Sequence, residues 1–324
     1  MNMKKRLLTT LLGLAALGSA ATASLAQDSY PTRAVRIIVP APAGTGPDIM
    51  ARLYAEQLGK ALGQPFTVDN RAGASGNIGA EFVAKAPADG YTLFYAYNQI
   101  TTMNPHLFKK LGYDPLRDLA PVTQTLTTAY VLMGNNDLPA KDLSGVIDYA
   151  RKNPGKLAYA SYGAGTASHL VFELIQDSAK IDMLHVPYKQ GMVTDVIGGQ
   201  VAMLFEPFPS GLPFVKSGRV KALAVTSEKR LASLPDVQAM NEAVPGINLQ
   251  GWQGVWATAG TPPDVIAKLQ AEMVRITQTP EMQKRITDLA STPTGTSSQD
   301  MAGIIQREHA QWGKIIKAKN ITLD

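Results

Sequence analysis

The sequence predicts an α/β protein of two lobes, in which each lobe has a mostly parallel sheet flanked by helices. A strand pattern, a turn rich in Gly and Pro and an amphipathic helix follow one another over residues 35–62, and a similar unit begins at residue 157. Such alternation of strands and helices is typical of parallel sheets. The chain has 324 residues, and domains usually have about 100–200, so two lobes are expected.

The first 26 residues are typical of a secretory signal peptide. Residues 4–6 (Lys-Lys-Arg) form a positive start, residues 7–17 are mostly apolar, and residues 24–26 (Ser-Leu-Ala) place small side chains at a cleavage site. The apolar run is shorter than the roughly 20 residues that cross a bilayer as a helix. We therefore expect cleavage after Ala26, with Ala23 as the alternative, and export of the mature protein to the periplasm.

The composition argues against several classes of function. Without the leader the chain has 28 basic and 26 acidic residues, a formal net charge of +2, and no basic cluster with interleaved aromatic residues. That balance gives no reason to expect a nucleic-acid partner. The sequence has no cysteine, which excludes disulfides and a lipid-anchored cysteine, and its four histidines have no metal-ligand spacing. We expect neither a metal nor a cofactor.

The first strand–turn–helix unit opens lobe 1. A strand over residues 35–39 leads through a turn to a helix over residues 48–62, where apolar residues recur at helical spacing. Thr45 and Asp48 have the spacing of a capping box, and Pro47 suits the first turn of a helix.

Two more strands and a helix complete a βαβαβ order. The strands are expected over residues 65–68 and 91–97, and the helix over residues 78–86. Ligands of such sheets bind beyond the carboxyl ends of the strands. This rule brings together the first loop, residues 75–77, and two amides at the end of the third strand. The residues expected to contact a ligand in this lobe are Ala43, Gly44, Thr45, Gly46, Asn98 and Gln99.

The second unit has the clearest candidate for an anion site. A strand over residues 157–161 is followed by a turn over residues 162–166, in which Gly163 and Gly165 permit sharp bends, and then by a helix. With Thr166 as N-cap, its hydroxyl and the free N–H groups of the first helical turn lie at the positive end of the helix dipole. The alternative is an ordinary βα turn that binds nothing. If the two units face each other, a ligand with two carboxylates can be held at both ends.

The rest of the chain repeats this pattern and then returns to lobe 1. A threonine-rich strand is expected to cross between the lobes, and three C-terminal helices are expected to cover lobe 1. We predict lobe 1 at residues 27–126 and 250–324, and lobe 2 at residues 127–249. The remaining predicted elements are strands over 121–131, 183–187, 201–205, 220–226 and 251–256, and helices over 138–151, 194–197, 262–277, 280–289 and 298–317.

Several strings of the chain are distinctive: Val68-Asp-Asn-Arg71 and those at residues 73–80, 88–91, 185–189, 198–200, 222–226 and 251–257. Together they resemble the solute receptors of tripartite tricarboxylate transporters, the Bug family. The resemblance implies a type II periplasmic binding protein that closes on a small organic acid in a cleft between the lobes and delivers it to membrane permease subunits. It also implies that loops 43–46 and 162–169 bind one ligand carboxylate through main-chain N–H groups, hydroxyls and ordered water.

Lobe 2 supplies the other predicted ligand contacts. The resemblance implies that Asp195 can meet the polar end of a ligand, such as an ammonium. Glu206 has the same two interpretations, and the aromatic rings suit an apolar wall. Each has a structural alternative: a neutral His169 packed on a strand, an Asp195 that serves its own helix, and aromatic rings in the core. The predicted contacts are Tyr162, Ala164, Gly165, Thr166, Ala167, His169, Tyr188, Asp195, Phe205 and Glu206.

Two segments depart from the family pattern. Residues 42–48 read Pro-Ala-Gly-Thr-Gly-Pro-Asp where the family more often has a Gly-Gly-Pro-Thr-Asp arrangement, and residues 205–209 are bulkier and more aromatic than usual. The sequence therefore leaves open whether the bound acid is aromatic or aliphatic.

Two other functions compete with uptake. A receptor that signals to a membrane sensor would use the same closed surface. A hydrolase using Ser168, His169 and Asp195 is remote, because adjacent helical residues point about 100° apart and cannot form the usual nucleophile–base pair. No Gly-x-Ser-x-Gly elbow is present either. We do not expect an enzyme.

Overall fold

The computed structural model describes residues 30–245 and 249–323, so the predicted leader lies outside the described residues. These residues form two sheets with helices on both faces. The strands are β1 (Val35–Val39), β2 (Phe66–Asn70), β3 (Thr92–Tyr97), β4 (Leu119–Thr128), β5 (Tyr130–Gly134), β6 (Ala158–Ser161), β7 (Leu184–Pro187), β8 (Met203–Pro207), β9 (Lys221–Val225), β10 (Gly251–Thr258) and β11 (Thr292–Pro293).

The helices alternate with these strands along most of the chain. They are α1 (Gly46–Leu62), α2 (Asn77–Ala84), α3 (Gln99–Thr102), α4 (Asn104–Leu107), α5 (Leu143–Lys152), α6 (Ala167–Ala179), α7 (Met192–Ile197), α8 (Phe208–Lys216), α9 (Met240–Ala243), α10 (Pro263–Thr277), α11 (Pro280–Asp288) and α12 (Ser298–Ala318). A short 3₁₀ turn, Ala74–Gly76, precedes α2.

Both sheets are mixed. Lobe 1 holds a six-stranded sheet of order β11-β4-β10-β3-β1-β2, and lobe 2 a five-stranded sheet of order β7-β6-β8-β5-β9. The strands joined by helices are parallel, as predicted: β1 pairs with β2 and β3, and β6 pairs with β7 and β8. The strands next to the crossings between the lobes pair in antiparallel fashion. In lobe 1, β10 is antiparallel to β3 and β4, and in lobe 2, β5 is antiparallel to β8 and β9.

The crossing from lobe 1 to lobe 2 consists of two strands, not the single strand predicted over residues 121–131. β4 ends at Thr128 and β5 begins at Tyr130, so Ala129 alone joins them. β4 pairs with β10 in the first sheet, and β5 pairs with β8 in the second. Residues 122–133 contain no Gly, Pro, Asn or Asp that would mark a break at Ala129, and the pattern of side chains does not show which strand is the neighbour.

Helix α5 begins later than predicted, at Leu143 instead of Leu138. The Asp142 side chain accepts a hydrogen bond from Gly145 N at 2.8 Å and so caps the helix. Asp is a favoured N-cap, and the residues between β5 and Asp142 form turns and bends instead of a helix. Elsewhere the bounds differ from the predicted ones by a few residues.

Each sheet is covered on both faces by apolar helix surfaces. In lobe 1, α1 and α10 pack on one face, while α2 and the first half of α12 pack on the other. In lobe 2, α5 and α6 cover one face, and α7 and α8 the other. The second half of α12 packs into the α5–α6 core through Trp312, Ile315 and Ile316. This long helix therefore contacts both lobes, and the exact lobe bounds stay predictions.

Replacement of Trp256 by alanine should cost about 3–5 kcal/mol of the free energy of unfolding. The Trp256 side chain is 0% exposed, and its ring centroid lies 6.1 Å from that of Phe94 and 5.6 Å from that of Trp252. Urea unfolding measures the change. Leu184→Ala is the control, because Leu184 is 58% exposed and should change stability by only about 0.5 kcal/mol. Equal effects would contradict the tight packing of Trp256 in lobe 1.

Candidate functional site

A cavity of about 170 Å³ lies between the two lobes. Its walls come from the end of β3 and the short helices after it, from both sides of the Ala129 crossing, from the start of β10, and from helices α6 and α12. The lining residues are Tyr97, Asn98, Gln99, Met103, Thr128, Tyr130, Ala167, Val171, Leu249, Gln250, Gly251, Trp252, Gln253 and Trp312. Three of the sequence-predicted contacts, Asn98, Gln99 and Ala167, are therefore together at one cavity.

The start of α6 reaches this cavity with its main-chain donors unused. Ala167 and Ser168 are the first two residues of the helix, and neither N–H has an acceptor among the described residues. Thr166 is the N-cap by backbone position, as predicted, but its hydroxyl makes no capping bond. It donates to Gly163 O at 2.7 Å. The expected role of the Thr166 hydroxyl is therefore changed, while the free N–H groups are present.

Two serines hold the turn before α6 in shape. The hydroxyl of Ser161 lies 2.6 Å from His185 Nε2 and accepts from Gly163 N at 3.1 Å. The Ser168 hydroxyl accepts from Tyr162 N at 3.2 Å and lies 3.1 Å from Thr166 Oγ1. Both hydroxyls are used within the turn, so they do not fold over the free N–H groups at the start of the helix.

His169 supports this turn from below. Its Nδ1 accepts a hydrogen bond from Gly165 N at 3.1 Å, and its ring stacks on that of His185 with centroids 4.0 Å apart. Burial, with a smaller contribution from His185, lowers the pKa of His169 to about 4. The ring is therefore neutral at pH 7, as the acceptor role of Nδ1 requires. His169 does not line the cavity, and this placement matches the structural alternative.

A buried polar chain connects α6 with the end of the protein. Glu173 accepts from Tyr159 OH at 2.8 Å and from Gln176 Nε2 at 3.0 Å, and it forms an ion pair with Lys319 Nζ at 2.8 Å. Burial raises the pKa of the Glu173 carboxyl, but the hydrogen bonds from Lys319 and Tyr159 outweigh burial and lower it. The C-terminal segment after α12 is thus tied to the helix that begins at the cavity.

The first loop comes near the cavity at Gly46. An atom added at the Cβ position of Gly46 would lie 3.9 Å from Nε2 of Gln253, which lines the cavity. The Gln253 Oε1 atom is buried without a hydrogen-bond partner among the described residues. Ala43, Gly44 and Thr45 do not line the cavity.

The predicted capping box of Thr45 and Asp48 is not formed at the first loop. The Thr45 hydroxyl donates to Pro42 O at 2.7 Å and caps nothing. The Asp48 carboxylate instead accepts from Gly44 N at 2.8 Å and pairs with Arg52 at 2.9 Å. Burial raises the pKa of Asp48, but bonds from Arg52, Gly44 and Asn70 lower it overall, so it is ionised. The sequence spacing could not show which backbone N–H the carboxylate would reach.

Asn98 reaches the cavity wall with its amide already bonded. Its Nδ2 donates to Glu308 Oε2 at 3.0 Å, and its Oδ1 accepts from Trp252 N at 3.4 Å. Trp252 Nε1 donates to the same carboxyl at 2.8 Å. Burial raises the pKa of Glu308 to about 7, against the lowering effect of these bonds. Among the described residues, Gln99 makes one long contact, 3.4 Å from its Nε2 to Asn104 Oδ1, so its amide is nearly free.

The other predicted contacts in lobe 2 lie away from this cavity. Tyr162 OH donates to Glu206 at 2.6 Å, and Tyr188 OH donates to Asp195 at 2.9 Å. Phe205 is 0% exposed and packs on Phe172 in the core. Tyr162 and Tyr188 line a separate cavity of about 120 Å³. Ala164, Gly165 and Thr166 belong to the turn but not to the lining of the 170 Å³ cavity.

Several cavity residues were not predicted from the sequence. Met103, Trp312 and the pair Leu249 and Gln253 come from three different segments, and only the fold brings them together. Trp312 lies on the apolar stripe of α12, which the sequence shows only as a buried face.

No arrangement for hydrolysis is formed by Ser168, His169 and Asp195. Their hydrogen bonds go to Tyr162, Gly165 and Tyr188 respectively. Within residues 30–245 and 249–323, no group of three or more His, Asp or Glu side chains is placed to hold a metal ion. In that same part of the chain, none of the helices combines the length and apolar character needed to cross a bilayer.

The two sheets and the cavity enclosed between them define a two-lobed solute-binding protein of the periplasmic type. Residues 49–321 match the family described as "TctC: Tripartite tricarboxylate transporter family receptor". The chain therefore belongs to this family of transporter receptors, as the sequence resemblance predicted.

Known relatives agree with this assignment over nearly the whole chain. Protein BugT of Bordetella pertussis is 34% identical over 98% of this chain and 98% of its own. A solved structure described as a periplasmic transporter is 37% identical with a TM-score of 0.73, covering 91% of this chain and 100% of that one. An R. palustris protein solved with adipate is 34% identical with a TM-score of 0.73 and the same coverage.

Replacement of Gly165 by alanine should destabilise the protein more than replacement of Gly44. Both glycines have similar positive φ, +75° and +82°, so each alanine carries a backbone strain of about 1–3 kcal/mol. A Cβ at Gly165 would also lie 2.9 Å from Leu107 Cδ2, whereas nothing lies within 4 Å at Gly44. Urea unfolding of both variants tests this. Equal losses would show that Leu107 yields without cost.

Stability should fall between pH 6.5 and pH 4 in a way that depends on His169. The folded state holds this ring neutral, with a pKa of about 4 against 6.5 for a free histidine, so protonation favours unfolding as the pH falls. The contribution is at most about 3 kcal/mol. We expect His169→Asn, which keeps an acceptor for Gly165 N–H, to flatten this part of the curve of unfolding free energy against pH.

His309→Asn is the control for that pH measurement. Its ring is only partly buried, so its replacement should change the slope less. A curve for His169→Asn that is parallel to that of the wild type would contradict a neutral, acceptor role for His169.

Proposed function

We propose that this protein is a periplasmic receptor that captures a small organic carboxylate for the permease subunits of a tripartite tricarboxylate-type transporter. One observation carries the proposal: the cavity between the lobes contains the start of α6, where the N–H groups of Ala167 and Ser168 have no acceptor among the described residues. Its family supports the same role.

A carboxylate suits this position for two reasons. Its two oxygens accept hydrogen bonds from neighbouring main-chain N–H groups, and such charge-assisted bonds are stronger than neutral ones. The positive end of the helix dipole favours a negative group there. Each oxygen would take one donor, and the carboxylate would lie against Ala167, which lines the cavity.

The setting of the site favours binding without chemistry. The described lining has amides, hydroxyls and apolar groups, none of which is activated as a nucleophile or base. Enclosure between two lobes removes water from the ligand and strengthens the hydrogen bonds to it. Exchange with a permease then requires only that the lobes separate. The leader predicted at residues 1–26 and a relative described as a periplasmic transporter support export to the periplasm.

The variant Ala167→Pro tests the donor role of the main chain directly. Proline at the first helical position is well tolerated, yet it has no N–H. Thr166 already has the extended backbone that a following proline requires, with φ −72° and ψ 157°. We expect the affinity for carboxylates to fall by about tenfold to a hundredfold. Isothermal titration calorimetry measures it.

Ala167→Ser is the matched control, because it adds one heavy atom and keeps the N–H. It should retain affinity within about threefold, a change of under 1 kcal/mol. If Ala167→Pro remains folded and binds as tightly as Ala167→Ser, the start of α6 is not the carboxylate site.

A further inference from the structure

We infer that the preferred ligand is a monocarboxylate with an aromatic or other compact apolar body, and not a dicarboxylate. The inference rests on the proposed function, since it takes the start of α6 as the carboxylate site. It follows from an asymmetry between the two helix starts and from the side chains that line the rest of the cavity.

Only one of the two helix starts is open to an anion. The start of α1 already holds the carboxylate of Asp48, which is 2% exposed and accepts from Gly44 N, Arg52 and Asn70. A second negative group placed at the start of α1 would meet this charge, although Asp48 itself does not line the cavity. The first turn of α6, all of which the structure describes, has no acidic side chain and no side-chain cap.

The described lining of the cavity offers no cation to a second carboxylate, because none of those residues is charged at neutral pH. Arg52, the cation nearest in sequence to the first loop, is bound to Asp48 at 2.9 Å. A second carboxylate in this cavity would lose its water without gaining an ionic partner, and such desolvation is strongly unfavourable.

The walls of the cavity are instead suited to an apolar body. Four aromatic side chains line it, Tyr97, Tyr130, Trp252 and Trp312, together with aliphatic groups of Met103, Val171 and Leu249. Aromatic pairs add about 0.5–1.5 kcal/mol beyond the burial of area. The volume of about 170 Å³ is comparable with the roughly 150 Å³ of an apolar cavity that holds one benzene molecule.

The polar groups that remain are neutral. Gln253 Oε1 is buried without a partner in the described part of the chain, and the Gln99 amide is almost free. Amides of this kind can bond a hydroxyl or an amino substituent on the apolar body. They cannot neutralise a charge. The ligand class is therefore one carboxylate, one compact apolar body and at most neutral polar substituents.

Two matched pairs of acids test the inference on the wild-type mature protein. Benzoate and terephthalate differ only by a second carboxylate. Hexanoate and adipate differ at one chain end, where adipate has a second carboxylate in place of a methyl group. We expect each monoacid to bind at least about tenfold more tightly than its diacid, with benzoate the tightest of the four by calorimetry. If either diacid binds as tightly as its monoacid, the inference is wrong while the proposed function stands. If none of the four binds to folded protein, the proposed function fails.

The variant Asp48→Asn tests the cause of the asymmetry. Removal of this charge frees the start of α1 and Arg52, so the affinity for terephthalate and adipate should rise about twofold to fivefold. The affinity for benzoate and hexanoate should not change. Asp69→Asn is the control, since Asp69 pairs with Arg71 at 3.0 Å elsewhere in lobe 1. A folded Asp48→Asn protein with an unchanged ratio of diacid to monoacid affinity would overturn the role given to Asp48.

Discussion

Two main-chain N–H groups at the start of α6 lack an acceptor among the described residues, and much of lobe 2 is arranged so that they stay free. Buried N–H groups without partners are rare because they cost free energy. The hydroxyls that could have capped them are bonded elsewhere: Thr166 donates to Gly163 O, and Ser168 accepts from Tyr162 N. The turn therefore leaves both N–H groups without a protein acceptor in the described part of the chain.

The shape of this turn depends on groups that never reach the cavity. His169 receives the Gly165 N–H, and Ser161 bonds both His185 and Gly163. Farther along α6, Glu173 is held by Tyr159 and Lys319. Because Lys319 follows α12, which also packs on lobe 1, the position of the turn is coupled to how the lobes lie against each other.

Much of the fold could be predicted from the sequence, because the apolar periods of the helices and strands are regular. The crossing at Ala129 could not, since the apolar pattern does not identify a strand's neighbour. At the site, the free donors of α6 follow from a strand–turn–helix pattern. The direction of the Asp48 carboxylate and the arrival of Trp312 from a distant helix depend on tertiary contacts, and no local pattern records them. The burial of Phe205 against Phe172 also depends on tertiary contacts, because its position in a strand does not show which face of the sheet it occupies.

The single-residue join at Ala129 has a consequence for how the two lobes can move. Thr128 and Tyr130, on either side of it, both line the cavity. In a hinge rotation, atoms are displaced in proportion to their distance from the axis. Groups beside an axis through Ala129 would barely shift, while the outer rim of each lobe would travel farthest. A ligand could then keep its innermost contacts throughout the swing and gain or lose only its outermost ones, so that entry and release need not disrupt the deepest part of the pocket.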